Sequence, residues 1–364
     1  MGGATQQGTE SYKTRWKGSP DHFRKVADLW FPSVGAGTYL GEMDDRTDRL
    51  YEASIYDALL LGSNLIDTAI NYRFQRSERN VGVALKKAMD KGVVSRNEVI
   101  LSTKAGFLTF DRTYPQNQSR YIYEEYIDRG ILKPEDIVAG CHCMAPSFLE
   151  NQLERSLQNL GVDCIDIYFI HNPETQLSEI SRQEFLKRML AAFKLLEKKS
   201  ADGKIHFYGT ATWNGYRENP GSQGYLSLEE LIGLARNAGG EDHHFRAIQL
   251  PFNIAMPEAF LAKNQKLGPS SVSLLEAAHH LGMVVLCSAS ILQGQLTANL
   301  PAFVTKFFGD LKTEAQRSIQ FVRSTLGVTT ALVGMSNPVH VEENLQVAQK
   351  PIVPWEHMRQ LFSE

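Results

Sequence analysis

Short apolar runs alternate along this chain with longer segments whose apolar residues recur every three or four positions. The runs are "FPSVGAG" (31–37), "SNLIDTA" (63–69), "EVILSTKAG" (98–106), "CIDIYFIH" (164–171), "IHFYGTA" (205–211), "RAIQLPFN" (246–253), "MVVLCSA" (283–289) and "TTALVGM" (329–335). Each is rich in β-branched residues and reads as a strand buried on both faces. The segments between them read as helices. In "SFLENQLERSLQNLG" the side chains of Leu149, Leu153, Leu157 and Leu160 share one face. Ser147 with Glu150, Ser181 with Glu184, and Ser227 with Glu230 have capping-box spacing, in which serine and glutamate satisfy each other's free amides. Gly161 and Gly282 follow helical runs, where a left-handed residue ends a helix. "ADGK" at 201–204 reads as a turn from helix into strand.

Strand–helix alternation implies parallel neighbours joined by crossover helices. Eight such units predict a closed (β/α)8 TIM barrel ahead of a doubly wound open sheet. "VGAGTYLG" is not a G-x-G-x-x-G turn leading into a helix, which also speaks against the open sheet. Two segments break the rhythm, 107–145 after the third strand and 253–273 after the sixth. In a barrel both belong to the C-terminal rim, where sites are built. The first carries Tyr114, Tyr121, Tyr123 and Tyr126, expected to pack as a small subdomain before contacting any substrate. Residues 1–30 form an N-terminal extension, and residues 1–364 are expected to make one domain.

Composition narrows the partners. The chain has 364 residues, 43% apolar and 22% charged, enough for a core that needs no disulfides. A formal charge of −3 gives no electrostatic footprint for nucleic acid or an anionic membrane. The four cysteines, Cys141, Cys143, Cys164 and Cys287, show no paired C-x-x-C spacing. "CHC" at 141–143 therefore reads as free thiols in a reducing compartment rather than a metal site. The start lacks an apolar signal region, and no run of eighteen apolar residues occurs. A cytoplasmic protein with a small-molecule substrate is expected. The pairs His243–His244 and His279–His280 are away from strand ends and are expected to face solvent.

The chemistry sits at the C-terminal strand ends. Asp67 ends the second strand, Tyr72 follows five residues later, Lys104 ends the third and His171 the fourth. A lysine and a histidine against a core are costly unless paired. Singly, Asp67 reads as a turn residue, Lys104 as a snorkelling side chain and His171 as a satisfied core histidine. On three consecutive strand ends, their joint occurrence favours a site.

"NLIDTAINY…SERNVG", "VILSTKAG" and "LGVDCIDIYFIHNPE" resemble the three signature blocks of the aldo-keto reductase superfamily, and the resemblance runs from about Val34 to Asn344. It implies a (β/α)8 barrel that binds NADP(H) without a Rossmann fold, with a catalytic tetrad at Asp67, Tyr72, Lys104 and His171. Asp67 would hold Lys104 charged. Lys104 would lower the Tyr72 phenol from its usual pKa of ~10. Tyr72 would protonate a carbonyl oxygen that His171 orients.

The same resemblance implies cofactor contacts. "GAGTY" (35–39) matches the first-strand block and points to Gly37, Thr38 and Tyr39 beside Asp67. "ALVGMSNPVHVEENL" (331–345) resembles the adenosine-phosphate block, with Gly334, Met335 and Ser336 along the phosphate and Glu343 and Asn344 at the adenine. His340 stands where arginine is common, and Met335 near where lysine often stands. Gln249 matches the glutamine that meets the nicotinamide amide. Ala211 and Thr212 replace a usual Ser-Asn, Ser288 replaces a stacking aromatic and Ser290 a proline. Trp213 offers a ring from the neighbouring strand. NADP(H) is expected ahead of NAD(H). Tyr39, Phe107, Trp213 and Phe252 are candidates for an apolar substrate pocket or for rim packing.

The expected activity is reduction of an aldehyde or ketone. One rival is a cofactor-binding sensor or subunit of the same fold with little turnover, favoured by the altered nicotinamide contacts. The other, a metal-dependent hydrolase, predicts H-x-H on a first strand that holds no histidine.

Overall fold

Each apolar run supplies one strand of a closed parallel barrel in a computed structural model that describes residues 2–362. The chain opens with a helix (Gln6–Arg15) and an antiparallel hairpin of β1 (Phe23–Val26) and β2 (Leu29–Pro32). The barrel strands β3 (Val34–Gly37), β4 (Leu65–Asp67), β5 (Ile100–Ala105), β6 (Ile165–His171), β7 (Ile205–Ala211) and β8 (Phe245–Pro251) follow. A small hairpin of β9 (Gln265–Leu267) and β10 (Ser270–Val272) intervenes before β11 (Val284–Ser288) and β12 (Thr330–Gly334). The order around the barrel is β3 to β8, then β11 and β12, with β12 returning to β3. Helices Asp45–Leu60, Arg76–Asp90, Pro146–Leu160, Arg182–Ala201, Leu228–Gly239, Leu274–His280, Glu314–Ser324 and Pro338–Leu345 follow the eight strands in turn.

Alternation along the strands sorts side chains into two cores. Ile100 on β5, Ile167 and Phe169 on β6, and Leu332 on β12 fill the barrel interior. Leu101, Tyr168, Ile170 and Val333 face the helices. The first run differs from expectation because "FPSVGAG" is split at Ser33. Phe31 and Pro32 belong to the hairpin, and Phe31 and Leu29 join Ala4 in the interior cluster. The N-terminal residues thus close one end of the barrel. Among the described residues, no helix is long and apolar enough to cross a membrane.

Ser181 and Ser227 accept from the amides of Glu184 and Glu230 and cap their helices. Ser147 does not. Pro146 takes the first helical position, for which its fixed φ suits it, and moves the boundary back to Ala145. Gly161 has φ 66° and Gly282 φ 63°, the left-handed ends expected. His279 and His280 are exposed and His244 pairs with Glu197, but His243 is buried, contrary to expectation.

Asp166 ties the closed end together. It accepts from the amides of Ala4 and Leu101 and from Arg96 at 2.8 Å, with both charged side chains out of water. Asp166→Ala leaves Arg96 buried without its counter-charge and is expected to cost about 3–5 kcal/mol of unfolding free energy. Urea titration is the check, and a loss under about 1 kcal/mol refutes the assignment.

Candidate active site

The polar side chains stand at the top interior positions of their strands. On β5 the two-residue period places Ile100, Ser102 and Lys104 on one face, the first at the floor and the last at the mouth. Asp67 pairs in register with Ser102 on the neighbouring strand, one pleat below Lys104. The Lys104 Nζ donates to Asp67 Oδ2 at 2.7 Å and to the Thr68 carbonyl at 2.7 Å. The other carboxylate oxygen accepts from Ser102 Oγ at 2.6 Å and from Gln249 Nε2 at 2.8 Å. Burial pulls the Lys104 ammonium below its ordinary pKa, and Asp67 opposes that shift.

Tyr72 lies over this pair. The Nζ of Lys104 is 4.8 Å from the centroid of its ring, and no hydrogen bond joins Lys104 to the phenol among the described residues. The ring meets Tyr39 at 4.9 Å and His171 at 5.8 Å. The expected lowering of the Tyr72 pKa is not found. Burial raises it well above 10, and the charge of Asp67 adds to the rise. Tyr72 is therefore a protonated phenol at neutral pH. Burial, with the charge of Lys104 added, drives His171 well below the ordinary imidazole value, so it is neutral. Its Nδ1 is buried without a hydrogen-bond partner among the described residues, as are Asn71 Oδ1 and Thr212 Oγ1.

These residues open on a cavity of about 760 Å³. Asp67, Tyr72 and His171 line it, while Lys104 lies beneath. Gly37, Thr38, Tyr39, Ala211, Thr212, Gln249, Ser288, Gly334, His340, Glu343 and Asn344 also line it. Met335 and Ser336 do not. The Met335 side chain is packed in the core between barrel and helices, because alternation from Gly334 turns it outward. Gln249 reaches the cavity, but its amide nitrogen is given to Asp67. Of the candidate pocket aromatics, Tyr39, Phe107 and Trp213 line the cavity. Phe252 is fully buried against Phe321 and takes no part. Ser290 lines it as well. No lysine or arginine is in the lining among the described residues.

Several lining residues were not singled out from sequence. Asn71 and Asn172 flank Tyr72 and His171, so adjacency to the tetrad was an available signal. Ala289, Gln293 and Gly294 come from the loop after β11, where Ala289, Leu292 and Gln293 adopt positive φ. Nothing in their residue types announces that conformation. Among the tyrosines of the 107–145 segment, Tyr126 is buried and donates to the Thr109 carbonyl, whereas Tyr114 and Tyr123 are exposed. In "CHC", the ring of His142 is occupied by Gln176 and the His171 carbonyl. Among the described residues no group of three or more metal-ligating side chains is assembled.

Fold and site together define a (β/α)8-barrel protein with its polar cluster at the C-terminal mouth. The model of the Aldo/keto reductase family matches residues 33–217, and the chain belongs to that family. The NADH-specific methylglyoxal reductase of Escherichia coli K12 is 30% identical over 194 residues, 51% of this chain and 50% of that protein. The NAD(P)H-dependent D-xylose reductase of Scheffersomyces stipitis is 26% identical over 199 residues, 50% and 49% of the two chains. The matched stretch is thus about half of each of these relatives. Among solved structures, an aldo/keto reductase from Klebsiella pneumoniae in complex with NADP and acetate superposes with a TM-score of 0.63 at 17% identity, covering 94% of both chains. A glycerol dehydrogenase from Gluconobacter oxydans gives 0.66 at 19%, covering 94% and 95%.

Two buried histidines and the half-buried His171 carry a pH signature. Burial lowers His22 to about 3 and His142 to about 4, and His171 also lies well below its ordinary value. The unfolded chain binds these protons near pH 6.5 and the folded chain does not. Stability is therefore fully present above about pH 6.5 and falls as pH drops towards 4. His142→Gln is expected to remove up to about 1.4 kcal/mol per pH unit of that slope. Urea unfolding of both proteins at pH 7 and pH 5 measures it, and equal slopes count against the buried neutral imidazole.

Proposed function

We propose that this chain is an NAD(P)(H)-dependent oxidoreductase that reduces an aldehyde or ketone, with the whole site on one barrel domain. The observation that carries this reading is the Asp67–Lys104 pair sealed beneath the Tyr72 ring, with neutral His171 opposite. Reducing a carbonyl needs a hydride at carbon and a proton at oxygen. A bound reduced nicotinamide supplies the hydride. Tyr72 O–H would give its proton to the carbonyl oxygen as that oxygen becomes an alkoxide. The Lys104 cation at 4.8 Å from the ring centroid stabilises the phenolate left behind. His171, which lines the cavity beside Tyr72, would hold the carbonyl oxygen next to the phenol.

The residues present fit a dinucleotide. Gly37 and Gly334 put no side chain into the cavity, and the helix Pro338–Leu345 starts at its edge with His340, Glu343 and Asn344 in the lining. The positive end of its dipole suits a phosphate, while Pro338 has no N–H and the Val339 and His340 amides are bonded to Asn337. With no lysine or arginine in the described lining, a 2′-phosphate meets no fixed cation there. The expected preference for NADP(H) over NAD(H) comes from the family resemblance, and with His340 where arginine is common we expect it to stay below about tenfold.

One observation favours the rival reading of a binding protein with little turnover: the Gln249 amide is given to Asp67 rather than left free for a nicotinamide. Single-turnover oxidation of bound NADPH by methylglyoxal separates the two. Tyr72→Phe is expected to keep dinucleotide affinity and lose about 10²–10⁴-fold in turnover. Turnover retained in that variant removes Tyr72 as the donor. Fluorescence titration of NADPH against NADH tests the cofactor expectation, and a preference of about a hundredfold or more contradicts it.

A further inference from the structure

The excursion after β5 begins and ends at one place. The Leu108 amide donates to the Cys141 carbonyl and the Cys143 amide to Gly106, both at 2.7 Å, and Phe107 bridges His142. This neck rests on His171. His142, fully buried, donates from Nε2 to the His171 carbonyl at 2.7 Å, while its Nδ1 accepts from Gln176 Nε2 at 3.0 Å. The amide donor at Nδ1 leaves the ring proton on Nε2, where the carbonyl needs it. The Phe107 ring stands edge-on to His142 and to His171, 5.1 Å from each. Gly106 has φ +148°, and a Cβ there would lie 2.7 Å from His142 Nε2 and 2.8 Å from the His171 carbonyl oxygen. The close approach therefore requires glycine.

The same excursion holds the turn after Tyr72. Arg73, Phe74 and Gln75 adopt φ of 48°, 51° and 69°, three successive left-handed residues without a glycine. Such a turn persists only where its surroundings over-determine it. Gln75 Nε2 donates to the Phe110 carbonyl at 3.0 Å, and the Arg112 amide donates to the Phe74 carbonyl at 2.9 Å. The Phe74 ring packs on Phe110 at 5.4 Å and on Tyr114 at 4.5 Å.

We propose that the 107–142 excursion is a clamp that sets the spacing between Tyr72 and His171, with Gln75 and His142 as its positioning residues. The inference rests on the reading of Tyr72 and His171 as the pair that holds a carbonyl oxygen. Neither Gln75 nor His142 lines the cavity, so each acts through a neighbour: Gln75 through the turn that carries Tyr72, His142 through the end of β6.

The test uses the full chain, NADPH and p-nitrobenzaldehyde, with dinucleotide affinity by fluorescence and steady-state reduction as separate readings. His142→Leu should leave the dinucleotide Kd unchanged and lower kcat by about 10- to 100-fold, the scale of a small misplacement of reacting groups. His142→Gln, whose amide can still donate to the His171 carbonyl, should restore kcat to within about threefold of wild type. A general packing defect would not be repaired in that way. Should His142→Leu fail to fold, Gln75→Met keeps the volume, removes the bonds to the Phe110 carbonyl and from Asn159, and is expected to show the same loss of kcat at constant Kd. Wild-type kcat in His142→Leu or in Gln75→Met, or no rescue by His142→Gln, overturns the clamp. A wild-type protein that neither binds NADPH or NADH nor reduces the aldehyde overturns the proposed function itself.

Discussion

A carboxylate and an ammonium face each other at 2.7 Å at the top of the barrel interior, both nearly out of water. Removing two charges from solvent is expensive, and their attraction offsets the cost only where the remaining lone pairs and protons find partners. Here they do. Asp67 accepts from Lys104, Ser102 and Gln249, and Lys104 gives a second proton to the Thr68 carbonyl. Those partners come from β4, β5 and β8, so the pair is built by barrel closure and not by local sequence. Replacing either charge alone leaves the other buried and unmatched, which makes the pair the point on which the mouth of the barrel depends.

What lies above the pair is held less by secondary structure than by side chains. The backbone from Tyr72 to the helix at Arg76 runs through left-handed residues whose strain is on the order of 1 kcal/mol or more each. Arg73 is buried and donates to the Glu42 carbonyl at 2.8 Å, to Asn80 Oδ1 at 2.9 Å and to Asp48 Oδ1 at 2.5 Å, fastening this turn to the loop after β3. On the other side the excursion after β5 fastens it through Phe110 and Arg112. A tyrosine on a strained turn between two anchored loops has a defined position before any ligand arrives, which is the condition for a preorganised site.

The strands were legible because burial on both faces leaves a compositional mark, and the alternation of eight runs with amphipathic helices has few other solutions. Asp67, Lys104 and His171 were legible because each is a charged or titratable group at the end of an apolar run. The partners of that set were less so. Ser102 sits two residues before Lys104, so strand periodicity alone could have placed it on the same face. His142 gave no such signal: its neighbour in space is a carbonyl 29 residues away, and long-range contacts with backbone leave no residue-type pattern. The hairpin that closes the barrel was missed because its four-residue strands are short and the turn at Ala27 and Asp28, both at positive φ, lacks the glycine that usually marks such a turn. Ser147 misled because Pro146 was a stronger boundary signal than a serine with the right spacing.

The direction of the Tyr72 shift changes what the lysine is for. Reading the sequence, a cation near a phenol implied a phenol made more acidic. In the folded chain burial dominates, and the Lys104 charge is largely spent on Asp67 and the Thr68 carbonyl. A donor in such a site stays protonated across the neutral range, so no fraction of the protein is lost to premature ionisation. In the proposed reaction the proton would leave only as a stronger base forms at hydrogen-bond distance, and a nascent alkoxide is such a base. As a phenolate formed in the proposed reaction, the ammonium facing its ring would be a compensating charge, screened less than in bulk water. In the proposed reaction Lys104 would favour the charged state that follows proton transfer over the neutral one that precedes it, which is differential stabilisation of the reacting state.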